Sequence, residues 1–144
     1  MRKKKIYHQV VKRILRPEIS HCVECQSKLH RCVTISDRII VTLKQVVRLV
    51  HCGYRCPHPQ CPGRTMLYRS AEADALALAG FTFGLDIVLK VGHLRLSEHK
   101  TVDEIHQHLL KRLVPLEQTI SRREILFLFE AYTARFACRD GSHR

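Results

Sequence analysis

The pattern of hydrophobic positions changes near residue 84. Before that point, residues 29–35 and 38–50 are rich in valine, isoleucine and threonine, and they predict two strands with a turn at residues 36 and 37. After it, apolar residues recur every three or four positions, as they do on one face of a helix. The pattern therefore predicts an α+β protein, with a small β-rich part followed by a helical part.

Three helices are predicted in the helical part. The first covers about residues 84–98 on apolar spacing alone. Thr101 with Glu104, and Ser121 with Glu124, have the spacing of capping boxes, in which the hydroxyl accepts from the third helical amide and the glutamate reaches back. Three short helices whose last two are joined by a short turn outline a helix-turn-helix bundle, although any small three-helix bundle has the same outline.

The N-terminal segment, the residues around position 70 and the C-terminal tail are the remaining parts of the predicted domain organisation. The apolar spacing within the basic N-terminal segment predicts a short amphipathic helix. A serine at position 70 is a helix cap, and the short helix after it is expected to end at Gly80. The resulting segments are a basic arm or helix at 1–17, a segment at 18–66 whose two cysteine pairs predict a zinc ribbon, a linker at 67–83, a helical bundle at 84–137 and a disordered tail at 138–144.

Cysteine spacing predicts a metal site in the β-rich part. Two residues separate Cys22 from Cys25, and four separate Cys56 from Cys61. Two such pairs, each on a tight turn (a knuckle), can present four thiolates to one Zn²⁺ in a tetrahedron. Because four protein ligands leave no open position, the predicted ion is structural.

Other side chains in the same region are alternative ligands. Cys32 and Cys52 lie in predicted strands, where a free thiol usually packs as a small buried apolar group. His30, His51 and His58 are further candidates, especially His58 within the second cysteine loop. The remaining alternative is a set of free thiols in a small β-core.

Positive charge is concentrated in the first part of the chain. The net charge is +12, and residues 1–64 hold 14 Lys/Arg against 3 Asp/Glu, whereas residues 65–144 hold 11 against 10. A basic half suits a polyanion such as double-stranded DNA, and a merely solvated basic face is the alternative. Arginine can contact guanine, and serine or threonine can contact phosphate. The candidate DNA-binding residues are Arg2, Lys3, Lys4, Lys5, Lys12, Arg13, Arg55, Arg64, Thr119, Ser121, Arg122 and Arg123.

The sequence favours a binding protein over an enzyme or a membrane protein. Its apolar stretches are too polar for a span of about 20 residues, and no signal segment follows the N-terminal charge, so we expect a cytoplasmic protein, which as a DNA-binding protein would be associated with the nucleoid. The nearest acid/base cluster, Glu98-His99 with Glu104, His106 and His108, has neither a nucleophile nor an open metal site.

These features together resemble a known family. The motifs are the Cys-x2-Cys pair, residues 54–63 (YRCPHPQCPG), residues 101–106 (TVDEIH) and residues 120–124 (ISRRE). Over about residues 21–132 the chain is similar to the N-terminal zinc-ribbon and helix-turn-helix region of bacterial insertion-sequence DDE transposases. The resemblance implies recognition of terminal inverted repeats in double-stranded DNA.

The resemblance stops where the family's catalytic domain would begin. That ribonuclease H-like domain carries three acidic residues that hold two metals, and only Asp140 follows the third predicted helix here. We therefore expect no transposition chemistry without another chain, and as partners DNA, a catalytic transposase chain or a second copy of itself. A protein-interaction adaptor or transcriptional regulator is the alternative function.

Overall fold

Residues 7–137 are described by the computed structural model, and they divide into two units. The sheet unit consists of residues 11–40 and 47–82, and the helical unit consists of residues 7–10, 41–46 and 83–137. Together they contain three strands and four α-helices, which confirms the predicted α+β class. Arg2, Lys3, Lys4, Lys5 and the predicted tail at 138–144 lie outside the described residues.

The sheet has the strand order β1-β3-β2. β1 runs parallel to β3, with Val11 opposite Val47 and Leu15 opposite His51. Four residues separate β2 from β3, a link too short for a parallel crossover, so these neighbouring strands form an antiparallel hairpin. The strands are β1 at Val11–Leu15, β2 at His30–Val41 and β3 at Val46–Arg55.

The prediction of an amphipathic helix within residues 1–17 is wrong for the part that the structure describes, because residues 11–15 form the strand β1. Val11 and Ile14 are β-branched, and β3 supplies the hydrogen-bonding partner that a strand requires. An isolated helix of this length is only marginally stable, so pairing with a neighbouring strand outweighs the helical spacing.

The turn predicted at residues 36 and 37 is also wrong, because β2 continues through both. Asp37 is accommodated by a two-pronged ion pair with Arg48 of β3, whose Nε and Nη2 lie 2.9 and 2.8 Å from its carboxylate oxygens. The chain reverses instead at residues 42–45. There the Thr42 hydroxyl accepts the amides of Lys44 and Gln45 and donates to the Gln45 carbonyl.

A short helix, α1 at Ala71–Leu76, completes the sheet unit. The predicted Ser70 cap is confirmed, since its hydroxyl accepts the Ala73 amide at 3.1 Å. The helix ends before the predicted Gly80, because Ala77 is extended and buried in the core. The amides of Ala71 and Glu72 donate to the Glu18 carboxylate. These hydrogen bonds lower the pKa of Glu18, and the bond from Ala71 has the largest effect. The core cluster contains Leu15, Ile40, Val47, Leu49, Ala73 and Ala77.

The helical unit contains the three predicted helices. Both capping boxes are present: the Thr101 and Ser121 hydroxyls accept the amides of Glu104 and Glu124 at 3.2 and 3.1 Å. Each helix buries one apolar face, and within residues 7–137 no helix is long and apolar enough to cross a bilayer. The helices are α2 at Leu85–Leu96, α3 at Val102–Leu113 and α4 at Arg122–Tyr132.

Gly92 of α2 lies directly against the ring of Tyr132 at the end of α4. A Cβ added to Gly92 would come within 2.4–2.5 Å of three ring carbons. Because heavy atoms do not approach so closely, only glycine permits this contact between the two helices.

We expect Gly92→Ala to destabilise the protein by about 1–3 kcal/mol, because the added methyl overpacks the α2–α4 contact. At an open helical position the same change would stabilise by up to about 1 kcal/mol, so the sign is diagnostic. Urea unfolding measures the effect. In a Tyr132→Ala background, where the ring is gone, the loss should shrink or reverse. An equal loss in both backgrounds would show that the ring is not the cause.

Candidate metal centre

Four cysteine side chains converge in the sheet unit. The Sγ atoms of Cys22, Cys25, Cys56 and Cys61 all lie within 4.8 Å of one another, so the four could hold a metal ion. The distance from Cys22 Sγ to Cys61 Sγ is 3.7 Å, and that from Cys25 Sγ to Cys56 Sγ is 3.4 Å. Cys25 is the most exposed of the four, whereas the other three are buried.

The first pair is presented by a tight turn. The Cys22 amide donates to the Ser27 carbonyl at 2.8 Å, and the Gln26 amide donates to the Cys22 carbonyl at 3.0 Å. Gln26 adopts a left-handed conformation, with φ of 65°. These bonds fold the chain back within six residues, so both sulfurs face the same point.

The second pair is held by a turn and by a pairing that follows it. The amide of Cys61 donates to the His58 carbonyl at 3.2 Å, and Tyr54 and Tyr68 exchange two backbone hydrogen bonds. A Cβ on Gly63 would lie 3.0 Å from Glu24 Cγ and 3.7 Å from the sulfurs of Cys22 and Cys61. The lack of a side chain at Gly63 therefore leaves room for the two knuckles to approach.

Amide groups of the knuckles donate to the sulfurs. The Glu24 amide lies 3.4 Å from Cys22 Sγ, and the Gly63 amide lies 3.4 Å from Cys61 Sγ. Donation by the Cys25 and Glu24 amides lowers the pKa of Cys22 to about 6. The pKa of Cys61 is raised to about 12, mainly by burial. Sulfurs this close cannot all ionise unless a cation neutralises them, which a bound metal ion does.

The Tyr68 hydroxyl is a member of the site that the sequence did not indicate. It lies 3.8 Å from Cys22 Sγ and accepts the Val23 amide at 3.2 Å. The pairing of Tyr68 with Tyr54 brings this side chain beside Cys22, which is 46 residues away in the sequence, and a contact of that range has no local sequence pattern.

The sulfur geometry fits a four-coordinate ion. At a metal–sulfur bond of about 2.3 Å, a regular tetrahedron has edges of about 3.8 Å, close to the two shorter separations observed. Both separations far exceed the disulfide bond length of about 2.05 Å, and all four cysteines are free thiols. A set of four sulfurs suits zinc or iron, and it leaves no coordination position for a substrate.

The alternative cysteine ligands lie elsewhere among the described residues. Cys52 is buried, as predicted for a strand residue, and is not part of the four-sulfur group. Cys32 is exposed, which corrects its predicted burial, because the first five residues of β2 all face solvent.

The histidines have other roles within residues 7–137. His58 Nδ1 accepts the Gln60 amide at 3.3 Å and so shapes the second knuckle, and His30 is exposed. His51 is buried, and its Nε2 accepts the Ser70 amide at 3.0 Å at the start of α1. Burial lowers the pKa of His51, which keeps the imidazole neutral for that bond.

The DNA-binding candidates of the sheet unit differ in availability. Lys12, Arg55 and Arg64 are exposed. Arg13 is half-buried, and its guanidinium donates to the Glu72 carboxylate, so part of its charge is already compensated.

In the helical unit, the candidates cluster at the start of α4. Thr119, Ser121, Arg122 and Arg123 are all exposed. The Ser121 hydroxyl is engaged in the helix cap, and Arg122 Nε lies 2.9 Å from the Asp103 carboxylate of α3.

Comparison of the chain with protein-family models, curated proteins and solved structures finds no match. The resemblance to transposase end-binding regions therefore stays a prediction from sequence motifs.

We expect one bound metal ion per chain by elemental analysis, because residues 7–137 contain one group of four converging sulfurs. Cys22→Ser should abolish stoichiometric binding, since it removes a ligand and disturbs the first knuckle. Cys32→Ser is the matched control, because Cys32 lies outside the group, and it should retain the ion. Stoichiometric metal in the Cys22→Ser variant, or loss in both variants, would contradict the assignment.

Proposed function

We propose that the chain binds double-stranded DNA through the start of α4, and that a structural Zn²⁺ on Cys22, Cys25, Cys56 and Cys61 stabilises the sheet unit as a zinc ribbon. The observation that carries the proposal is the pair of exposed arginines, Arg122 and Arg123, in the first turn of a capped helix.

The start of α4 has the chemistry of a DNA-reading helix. Its free amides and helix dipole present partial positive charge, which attracts phosphate. The Arg122 side chain is 62% exposed although it pairs with Asp103, so it can exchange that partner for a base edge. In helix-turn-helix proteins the second helix of the motif enters the major groove with its N-terminal residues towards the bases.

The segment before α4 is fixed in place. The Nε2 atom of His106 in α3 lies 2.8 Å from the carbonyl oxygen of Ile120. The chain from 114 to 121 begins with a 3-10 turn at Val114–Leu116 and passes through Glu117 in the left-handed conformation. This link is longer than the turn of about three to four residues in the simplest helix-turn-helix, so the proposed motif is an extended variant.

Zinc is the metal that this donor set favours for a structural role. Zn²⁺ has no redox chemistry, and closed four-cysteine sites on paired knuckles are a usual form of its structural sites. Among the described residues, one buried cluster of the sheet unit has six members, two of them alanine, and a second one is formed largely by the metal-site cysteines themselves. A unit with so small a core gains stability when a metal joins its loops.

On this proposal the chain recognises the DNA ends of an insertion element at the nucleoid, in the bacterial cytoplasm. Its further proposed partner is a catalytic transposase chain. The sequence resemblance supports this more specific part of the proposal.

A protein-interaction adaptor is the second candidate function. Leu126 and Phe127 are 49% and 55% exposed, and each lies one helical turn after one of the two arginines. Exposed apolar side chains can dock another protein, but beside arginines they also suit thymine methyl groups in the major groove.

Salt dependence separates the two functions. We expect duplex binding to weaken roughly tenfold or more per doubling of salt, because several phosphates release counterions. Arg122→Ala should cost about 1–3 kcal/mol on the preferred sequence and little on random duplex, whereas removing Arg2 to Lys5 should weaken all duplexes alike. Fluorescence anisotropy with a duplex selected from a random pool measures both effects.

Arg135→Ala is the matched control, because Arg135 is exposed but lies beyond the other end of α4. It should leave affinity and discrimination unchanged. If no duplex binds below about 10 μM at moderate salt, DNA binding is refuted. Equal losses on every sequence for Arg122→Ala would refute its role in discrimination.

A further inference from the structure

The helical unit contains a cavity that the proposed DNA-binding surface does not use. Its volume is about 740 Å³, and its lining comes from α2, α3 and the loop between them. Cavities of about 300–1,000 Å³ are the size of small-molecule sites.

The cationic groups of the cavity are available to a ligand. Lys90 projects from α2, and Lys111 projects from the last turn of α3. Among residues 7–137, neither lysine forms an ion pair or a side-chain hydrogen bond. Two ammonium groups on facing helices with no protein partner are free to bind an anion.

The carboxylates of the cavity already have partners within the protein. Glu98 lies 3.0 Å from His93 Nε2, and Asp103 lies 2.9 Å from Arg122 Nε. Glu104 accepts the Thr101 amide at 3.1 Å, and its other oxygen lies 3.9 Å from Lys100 Nζ. These pairs reduce the repulsion that the carboxylates would exert on an anion, while their free lone pairs can still accept from hydroxyl or amino groups.

His108 adds a polar atom that lacks a protein partner. It lies on the face of α3 one turn before Lys111, and its Nε2 is buried without a hydrogen bond among the described residues. Burial, and after it the charges of Lys90 and Arg112, lower the pKa of His108 and so favour the neutral imidazole. A buried nitrogen without a partner is costly unless a ligand or water satisfies it.

We propose that this cavity binds a small phosphorylated ligand of nucleotide size, with its phosphate held by Lys90, Lys111 and His108. The carboxylates of the lining accept hydroxyl or amino groups of the same molecule. The site is independent of the proposed DNA contacts at the start of α4, apart from the Asp103–Arg122 pair, through which occupancy can influence Arg122.

Isothermal titration of the full chain with inorganic phosphate, adenosine monophosphate and adenosine tests the proposal. We expect adenosine monophosphate to bind at least tenfold more tightly than phosphate, and adenosine not to bind. Lys90→Ala and Lys111→Ala should each weaken adenosine monophosphate tenfold or more. Lys44→Ala is the matched control, because Lys44 is exposed and outside the cavity, and it should change nothing.

Several outcomes would overturn the proposal. One is that neither inorganic phosphate nor adenosine monophosphate binds saturably up to 10 mM, a limit of about 2.7 kcal/mol of binding free energy. Another is that adenosine binds as tightly as adenosine monophosphate. The third is that Lys44→Ala weakens binding of adenosine monophosphate as much as Lys90→Ala and Lys111→Ala do. A titration of the Lys111→Ala variant with duplex DNA completes the test. If adenosine monophosphate does not bind and Lys111→Ala weakens duplex binding tenfold, the lysines contact DNA backbone instead. DNA binding can survive each of these results, so the two proposals fail separately.

Discussion

The sheet unit depends on the convergence of four cysteine sulfurs within 4.8 Å of one another. The two knuckles are separated by thirty residues of intervening chain, and closing so long a loop costs conformational entropy. The apolar cluster beside them is small, with Ala73 of α1 and Ala77 just after it against residues of three strands. A metal ion bound by all four sulfurs would offset the closure cost and neutralise their charge, and it would then be part of the fold.

Features set by short-range spacing could be predicted from the sequence. The two cysteine pairs, the Ser70 cap and the capping boxes at Thr101 and Ser121 each need only residues within a few positions of one another. The helices that follow the boxes also formed as their apolar spacing indicated. In these segments local preference and tertiary packing favour the same structure.

Features set by a distant partner could not be predicted. β1 is a strand because β3 lies beside it, and β2 continues through Ser36 and Asp37 as a neighbour of β3, whose Arg48 pairs with the aspartate. In the metal centre, the Tyr68 hydroxyl and the cleared space at Gly63 appear only when both knuckles are assembled. No single segment of sequence contains these contacts, so apolar periodicity gave the wrong result for residues 11–15 and turn propensity gave it for residues 36 and 37.

We propose different tasks for the two units: a metal stabilises the sheet unit, and the helical unit presents Arg122 and Arg123 on a helix whose stability does not involve the metal. Amide-resolved NMR of the full chain during titration with a zinc chelator tests this most directly. We expect resonances of residues 11–40 and 47–82 to collapse to unfolded positions once elemental analysis shows that the metal is gone, while those of α2, α3 and α4 stay dispersed. A sheet unit that remains dispersed without metal would contradict it.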